Sequence, residues 1–204
     1  SGTKIAAGTT ISTNITSNQV WVGPGAESCC ACDASNTIFI QGTVFVQPGV
    51  TLTVNKGTCI KEKKRTSVSD PPSVLVVQPG AQILAVGEAT CPIVITSDQP
   101  AGSRAPGDHG GLVLNGTAPV NCPGGTCQAE GLASDPFGGN SPNDSSGILK
   151  FVRIEFSGIE VSTDNELNIF TQNGVGRSTS IDHIQANVGF DDCVEWFGGT
   201  VNEK

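Results

Sequence analysis

Short apolar runs separated by turn residues recur along the chain, and two stretches resemble each other closely. Residues 42–60 read GTVFVQPGVTLTVNKGTCI, and residues 73–93 read SVLVVQPGAQILAVGEATCPI. The VQPG segment that begins at Val46 begins again at Val77, and the Thr-Cys pair at Cys59 recurs at Cys91. A fixed period of roughly 20–50 residues is typical of stacked structural repeats.

Each repeat contains three short runs rich in β-branched residues, with turn residues between them. In the first repeat these are Thr43–Val46, Thr51–Val54 and a run from Cys59, separated by Pro-Gly and Lys-Gly pairs. Proline presets one turn dihedral and glycine supplies the positive one. Three strands and three corners per period predict one coil of a parallel β-helix, which buries its apolar side by stacking on the next coil.

The C-terminal part shows the same period, and the whole chain is predicted to be all-β. Residues 180–187 match residues 148–155, so Ile184 and Ala186 are expected to stack on Val152 and Ile154. We predict a right-handed parallel β-helix of roughly five or six coils. Its predicted core comprises Val44, Val46, Leu52, Val54, Leu75, Val77, Ile83, Val152, Ile154, Ile184 and Ala186.

One domain, residues 1–204, is expected at this length. Residues 1–36 are an irregular entry or first coil, 37–97 hold the regular repeats, 98–147 are rich in loops, and 148–204 form the C-terminal coils. The strand Leu112–Leu114 interrupts the loop-rich part. Glu166–Thr171 and Cys193–Phe197 are expected to be strands on one further face of the C-terminal coils.

The chain is acidic, with a net charge of −8. That charge argues against nucleic acid and anionic membranes as partners and permits Ca²⁺ or a mineral surface. No apolar run is long enough to predict membrane insertion. Because the chain begins at Ser1 without an apolar leader, we expect an extracellular or cell-surface protein whose signal peptide has been removed.

Eight cysteines favour disulfides formed in an oxidising compartment. Cys59 and Cys91 occupy equivalent points of consecutive repeats, so we predict that they are bonded, and Cys122 with Cys127 around a Pro-Gly-Gly turn. The remaining four are candidates for intermolecular disulfides: Cys29, Cys30, Cys32 and Cys193. Zinc binding by the CCAC cluster is the disfavoured alternative, since no histidine lies near it.

Several motifs in order resemble a known family. They are the two repeats, GGLVLNGTAPV, FVRIEFSG, ELNIFTQNGVG and DDCVEWFGGTVN. Together they are similar to exported right-handed parallel β-helix proteins abundant in marine and gliding bacteria, a family of the pectate-lyase-like superfamily with no agreed activity. The resemblance covers about residue 40 to 204 and implies the fold. Cys193 stands where relatives usually have glycine, and relatives usually continue with further coils.

The densest carboxylate group is Asp191, Asp192 and Glu195. DDCVEW resembles the paired-Asp motif of polygalacturonases, but the companion Gly-His-Gly and downstream Arg-x-Lys are missing. Inverting glycosidases need two carboxyl groups roughly 6.5–9.5 Å apart. We favour a turn-shaping role for Asp191 and Asp192 over catalysis or Ca²⁺ binding, and expect no cofactor unless Ca²⁺ binds there.

Other polar residues have simpler interpretations. Arg153, a candidate base for a lyase, lies beside Glu155 and is expected to form a ladder ion pair with it. His109 and His183 are expected on the surface or in loops. The basic run KEKKR from Lys61 to Arg65 favours a solvated loop over a contact patch for an acidic partner.

Three asparagines lie in Asn-x-Ser/Thr sequons and would carry glycans if a eukaryotic secretory pathway made the protein: Asn14, Asn115 and Asn143.

Two functional classes remain. We favour an extracellular structural or adhesive protein, with a further copy of itself as the main partner. Open ends of a β-helix expose unpaired strand edges, so copies joined head to tail by disulfides would form a filament. The alternative is a β-helix that binds or degrades polysaccharide. Few aromatic side chains and an incomplete catalytic set make an enzyme the less favoured alternative.

Overall fold

The computed structural model describes residues 1–21, 29, 31–132 and 134–204. These residues contain twenty short strands and one 3₁₀ turn, Pro123–Gly125. In chain order the strands are β1 (Thr3–Ile5), β2 (Thr10–Ile11), β3 (Gln19–Trp21), β4 (Thr37–Ile40), β5 (Thr43–Val46), β6 (Thr51–Val54), β7 (Cys59–Glu62), β8 (Val74–Val77), β9 (Gln82–Val86), β10 (Ile93–Ser97), β11 (Leu112–Asn115), β12 (Cys127–Gln128), β13 (Pro136–Phe137), β14 (Gly147–Glu155), β15 (Ile159–Ser162), β16 (Asn165–Leu167), β17 (Phe170–Asn173), β18 (Ser180–Asn187), β19 (Val194–Phe197) and β20 (Asn202–Glu203).

The strands form three parallel ladders that run along the solenoid axis. The first face contains β1, β3, β6, β9, the N-terminal half of β14, the N-terminal half of β18, and β20. The second contains β2, β4, β7, β10 and the C-terminal halves of β14 and β18. The third contains β5, β8, β11, β17 and β19. The predicted parallel β-helix is confirmed, with six coils in the part of the chain that the structure describes.

Side chains that point inward stack in columns from coil to coil. One column on the second face runs through Ile38, Ile60, Ile95, Ile154 and Ala186. Alternation of side chains along a strand sends every second residue into this interior. All the predicted core residues belong to the main apolar cluster or pack against it, with Ile184 and Ala186 only partly buried in the sixth coil.

A single long strand, β14, serves two faces because its backbone bends in the middle. Phe151 has a φ of 49° there, and His183 has a φ of 54° at the matching point of β18. The two rings stack across the coils with centroids 4.5 Å apart. The predicted pairing of residues 152–155 with residues 184–187 is found in the strand register.

The predicted Cys59–Cys91 disulfide was wrong. Cys59 is bonded to Cys32, and Cys91 is bonded to Cys29. The reason lies in the register: Cys59 pairs with Val94, whereas Cys91 lies earlier, in the turn before β10. Extra residues at that corner shift Cys91 out of the column, although the spacing in sequence nearly equals the repeat.

Two of the proposed intermolecular cysteines, Cys29 and Cys32, are therefore used inside the molecule. Cys122 and Cys127 are bonded to each other. Cys193 has a free thiol and is exposed. Cys30 lies outside the described residues.

The loops between the second and third faces lie along one side of the solenoid, which we call the loop edge. In successive coils it comprises residues 12–14, 41–42, 63–73, 98–111, 156–169 and 188–193. The fifth of these loops contains the antiparallel hairpin of β15 and β16. Of the predicted strand Glu166–Thr171, only the end lies on the third face, in β17, because residues 165–167 belong to this hairpin.

Residues 116–132 and 134–146 lie between β11 and β14 in the chain and cover part of the outside of the third face. A second apolar cluster lies there, in which Val74, Val76 and Val113 meet Phe137 and Leu167. The middle of the third face, at β8, β11 and β17, is thus buried on both sides. Among the described residues, no helix is long and apolar enough to cross a membrane.

Candidate functional site

The predicted carboxylate group lies at the C-terminal end of the loop edge. Asp191 and Asp192 are exposed in the loop before β19, where Asp191 accepts a hydrogen bond from the backbone N–H of Asp192 at 2.8 Å. Glu195 follows on β19 and accepts a hydrogen bond from the Asn168 side chain. Arg153 lies on the second face, so the structure does not join the predicted catalytic residues in one site.

Electrostatic repulsion and burial dominate this acidic cluster. Burial, followed by the charges of Glu130, Asp192, Asp191 and Glu166, raises the pKa of Glu195 to about 7. Partial burial and neighbouring carboxylates, with Asp191 first among them, also raise the pKa of Glu166. No group of three or more metal-ligating side chains is arranged for a metal ion within the described residues. The carboxylates of this cluster therefore repel one another around Glu195.

Arg153 takes part in a network of ionic contacts on the outside of the second face. Its Nε lies 3.3 Å from Glu155 Oε2, and Arg104 Nη1 lies 3.6 Å from Glu155 Oε1. The Thr96 hydroxyl donates a hydrogen bond to the same carboxylate at 3.1 Å. Since Glu155 compensates its charge, Arg153 has the ladder role expected from the sequence.

His109 lies in loop 98–111, one of the two expected settings, but it is fully buried rather than on the surface. Its Nδ1 lies 2.7 Å from Glu62 Oε2, and its Nε2 lies 2.9 Å from the carbonyl oxygen of Glu155. Burial raises the pKa of Glu62, while His109 and the N–H of Gly111 oppose that rise. The pair joins loop 98–111 to the interior of the solenoid.

Asp108, next to His109, holds the basic loop in place. Lys64 Nζ lies 2.7 Å from its Oδ1, and the Ser97 hydroxyl donates to its Oδ2 at 2.6 Å. Burial tends to raise the pKa of Asp108, but the hydrogen bonds from Lys64, Ser97 and the Ala105 N–H outweigh it and leave the pKa below its usual value. The sequence motif Asp108-His109-Gly110-Gly111 thus has a structural role that its residue types alone did not reveal.

A groove of about 740 Å³ lies on the loop edge beside residues 63–66. It crosses the first four coils, so it runs along the axis for about 14 Å, because neighbouring coils are about 4.8 Å apart. Hydroxyl, amide and charged side chains dominate its lining: Ser12, Gln41, Thr43, Lys63, Lys64, Arg65, Thr66, Asp70, Ser73, Asp98 and Gln99. We call this the axial groove.

The charged groups of the axial groove have different surroundings. Asp98 accepts hydrogen bonds from the Lys64 N–H and from Gln99, and Asp70 accepts them from the hydroxyl of Thr66 and the N–H of Ser67. Lys63 Nζ donates a hydrogen bond to the neutral Gln41 Oε1 at 3.2 Å and lies 6.0 Å from the centroid of the Phe39 ring, and no carboxylate partner is found for it among the described residues. The carboxylates therefore organise the loops, while the ammonium group of Lys63 remains available to a ligand.

A sequence profile of the pectate-lyase-like β-helix domain matches residues 26–204. The chain belongs to this family. No curated protein and no solved structure matches it. The fold of the family agrees with the three parallel ladders, and a polysaccharide-related or structural function is compatible with it.

The predicted glycosylation sites have different exposures in this β-helix. Asn14 and Asn143 are exposed. Asn115 is buried, and its side chain bonds to Asp135 and Asn173. A glycan on Asn115 is therefore incompatible with the folded domain, which corrects that assignment.

Proposed function

We propose that this protein is a non-catalytic, extracellular β-helix of adhesive type that binds an acidic polysaccharide along the axial groove. The length and the polar lining of the groove are the main support for this proposal. A polysaccharide is an extended chain rich in hydroxyl groups, and a polar groove about 14 Å long parallel to the axis accommodates several sugar units in a row.

Charge supports an acidic ligand. Lys63, Lys64 and Arg65 line the groove together. Asp108 compensates Lys64, and the carboxylates of the lining, Asp70 and Asp98, accept hydrogen bonds from the loops, so Lys63 and Arg65 supply the positive charge for a ligand. Ammonium and guanidinium groups bind carboxylate or sulfate groups by charge-assisted hydrogen bonds.

Disulfides support an oxidising location. Cys29–Cys91, Cys32–Cys59 and Cys122–Cys127 are all formed. Such bonds persist in secreted proteins and are rare in the reducing cytosol. An adhesive protein outside the cell gains from them because they restrict unfolding.

Binding to immobilised polysaccharides tests the proposal. Polygalacturonate and alginate should bind, and dextran, which is neutral, should not. Lys63→Glu should weaken binding about fivefold or more, since one exposed ion pair contributes about 1 kcal/mol. Lys4→Glu, which makes the same charge change on the exposed first coil, is the matched control.

Incubation with the same polymers separates binding from degradation. We expect no release of reducing or unsaturated ends. Release of ends would support the polysaccharide-degrading alternative, and equal binding by the Lys63→Glu variant would exclude the axial groove as the site.

A further inference from the structure

Thr171 on β17 has a buried hydroxyl group that finds no hydrogen-bond partner among the described residues. In the parallel register it pairs with Val113 on one side and with Glu195 on the other. Val113 belongs to the apolar cluster outside the third face, so Thr171 and Glu195 also point to the outside. Thr171 is 4% exposed. A buried polar group of this kind calls for a partner from outside the chain, such as water or an ion.

Two loops of the loop edge meet beside this hydroxyl group. The side chain of Asn168, at the end of the fifth loop, donates a hydrogen bond to Glu195 Oε2. The backbone N–H of Ile169 donates to the carbonyl oxygen of Asp192 at 3.0 Å, which attaches the fifth loop to the sixth. Side-chain oxygens from both loops and from β19 therefore lie close to Thr171.

The loop that covers the third face adds a further carboxylate. The N–H of Gly131 donates to Asn165 Oδ1 at 2.7 Å, in the hairpin that contains Glu166. A Cβ atom on Gly131 would lie 3.1 Å from the carbonyl oxygen of Glu166, so the two backbones approach closely. Glu130, which precedes Gly131, is thereby held near Glu166, and its charge acts on Glu195 more strongly than that of any other carboxylate.

No basic side chain of the described residues compensates this group of carboxylates. None of the ion pairs of lysine, arginine or histidine involves Glu130, Glu166, Asp191, Asp192 or Glu195. Burial, followed by the charges of the neighbouring carboxylates, raises the pKa of Glu195 to about 7. A proton on Glu195 thus offsets part of the repulsion near neutral pH, and a cation would offset more of it.

We propose that one calcium ion binds outside β17 and β19, at the Thr171 hydroxyl group. The carboxylates that hold it are those of Glu195, Glu166 and Glu130. Calcium accepts about six to eight oxygen ligands in flexible geometry, whereas magnesium needs a near-ideal octahedron. In the described part of the chain no three carboxylates already converge on one point. The site therefore closes on the ion and water completes its shell, so we expect the affinity of weak extracellular calcium sites, about 0.1–1 mM.

Calcium accounts for both unusual features of this place. A water molecule would satisfy the Thr171 hydroxyl group but would leave the carboxylates to repel one another. The ion contacts the hydroxyl group and neutralises the carboxylates at the same time. It also links the last two coils to the hairpin and to the loop that covers the third face, so binding should stabilise the folded domain.

Terbium luminescence locates the site, because Tb³⁺ takes the same oxygen ligands as Ca²⁺ and is excited through a nearby indole ring. Trp196 follows Glu195 on β19, whereas Trp21 is buried in the second coil, about 19 Å away along the axis. Terbium emission should appear when the ion is added to chelator-treated protein. Calcium should quench it at lower concentrations than magnesium.

Thr171→Val retains the shape of the side chain and removes its oxygen. Without calcium this variant should melt at the native temperature or above it, because a buried hydroxyl group without a partner is lost. Its calcium affinity should be about fivefold lower. Glu195→Gln should lower the affinity about tenfold or more. Thr53→Val makes the same exchange on the outward side of the first face and should leave the affinity unchanged.

The affinity should also fall by about tenfold or more between pH 7.5 and pH 5.5, since Glu195, with a pKa of about 7, then carries a proton. Two results would overturn the proposal. One is a melting temperature that does not rise in about 10 mM calcium, well above the expected dissociation constant. The other is equal calcium affinity of the native protein and the Thr171→Val variant.

This result is independent of polysaccharide binding. Calcium binding is measured without polysaccharide, and Lys63 lines the axial groove, which none of the proposed calcium ligands does. The Lys63→Glu variant should therefore bind calcium as the native protein does. A loss of calcium affinity in that variant would count against the proposed site.

Discussion

Glu195 illustrates how the environment of one residue changes its chemistry. The sequence places it beside Asp191 and Asp192, but its position on β19 also brings Glu130 and Glu166 near. These two residues come from the loop that covers the third face and from the hairpin of the loop edge. Because they are distant in sequence, the strength of the repulsion follows only from the folded structure.

Stability is expected to fall as pH rises through the range in which Glu195 titrates. Its pKa of about 7 in the folded protein exceeds the ordinary value of 4.5, so the folded state binds a proton that the unfolded state has lost. The resulting stabilisation is complete below about pH 4.5 and is lost as pH rises through about 7. Glu195→Gln should raise the melting temperature at pH 8 more than at pH 5, as measured by circular dichroism.

Glu88→Gln is the control for that measurement, because Glu88 is exposed and pairs with Lys56 at 2.9 Å. A Glu195→Gln variant whose pH dependence matches this control would contradict the assignment.

At the scale of elements, two disulfides attach Cys29 and Cys32, which precede β4, to later coils. Cys32 is bonded to Cys59 at the start of β7, and Cys29 is bonded to Cys91 in the turn before β10. These bonds link segments that are 27 and 62 residues apart, whereas Cys122 and Cys127 are only 5 residues apart. The cross-links therefore differ strongly in how much of the unfolded chain they restrain.

Removal of Cys32–Cys59 should destabilise the domain more than removal of Cys122–Cys127. Loop-closure entropy gives about 3–4 kcal/mol for the longer loop and about 2 kcal/mol for the shorter. The double serine variants C32S/C59S and C122S/C127S can be compared by urea unfolding. Equal losses of unfolding free energy would show that chain entropy does not dominate at these sites.

At the scale of the whole molecule, the predicted disulfide-linked filament has fewer cysteines to use. Among the described cysteines, Cys193 alone has a free thiol. It lies in the sixth coil, and Cys30 is the remaining candidate for a bond to the next copy. The head-to-tail filament remains a prediction, in which Cys193 of one copy joins Cys30 of another.

Non-reducing gel electrophoresis checks this prediction. The oxidised native protein should give a ladder that collapses on reduction to the monomer of 20.9 kDa. Cys193→Ser and Cys30→Ser should each remove every band above the dimer, since a single remaining thiol can join only two copies. A monomer band without reductant, with Cys193 fully alkylated, would contradict the filament.

The fold itself could be predicted from the sequence because the repeated pattern of apolar and turn residues specifies the strands of each coil. Alternating apolar positions and the Pro-Gly corners determine each strand and turn locally, and a regular period determines which strands stack. The columns through Val46 and Val77, and through Val152 and Ile184, follow from that period.

The tertiary structure alone decided the disulfide partners and the surfaces available for binding. A few extra residues at one corner place Cys91 outside the column of Cys59. The spacing of the repeats in the sequence does not show such a local shift. Loops 63–73 and 98–111 have no repeat, yet the solenoid brings them together, so that Asp108 holds Lys64 and His109 is buried against Glu62. Stacking fixes how strands align, whereas the loops take their positions from contacts between residues far apart in the chain.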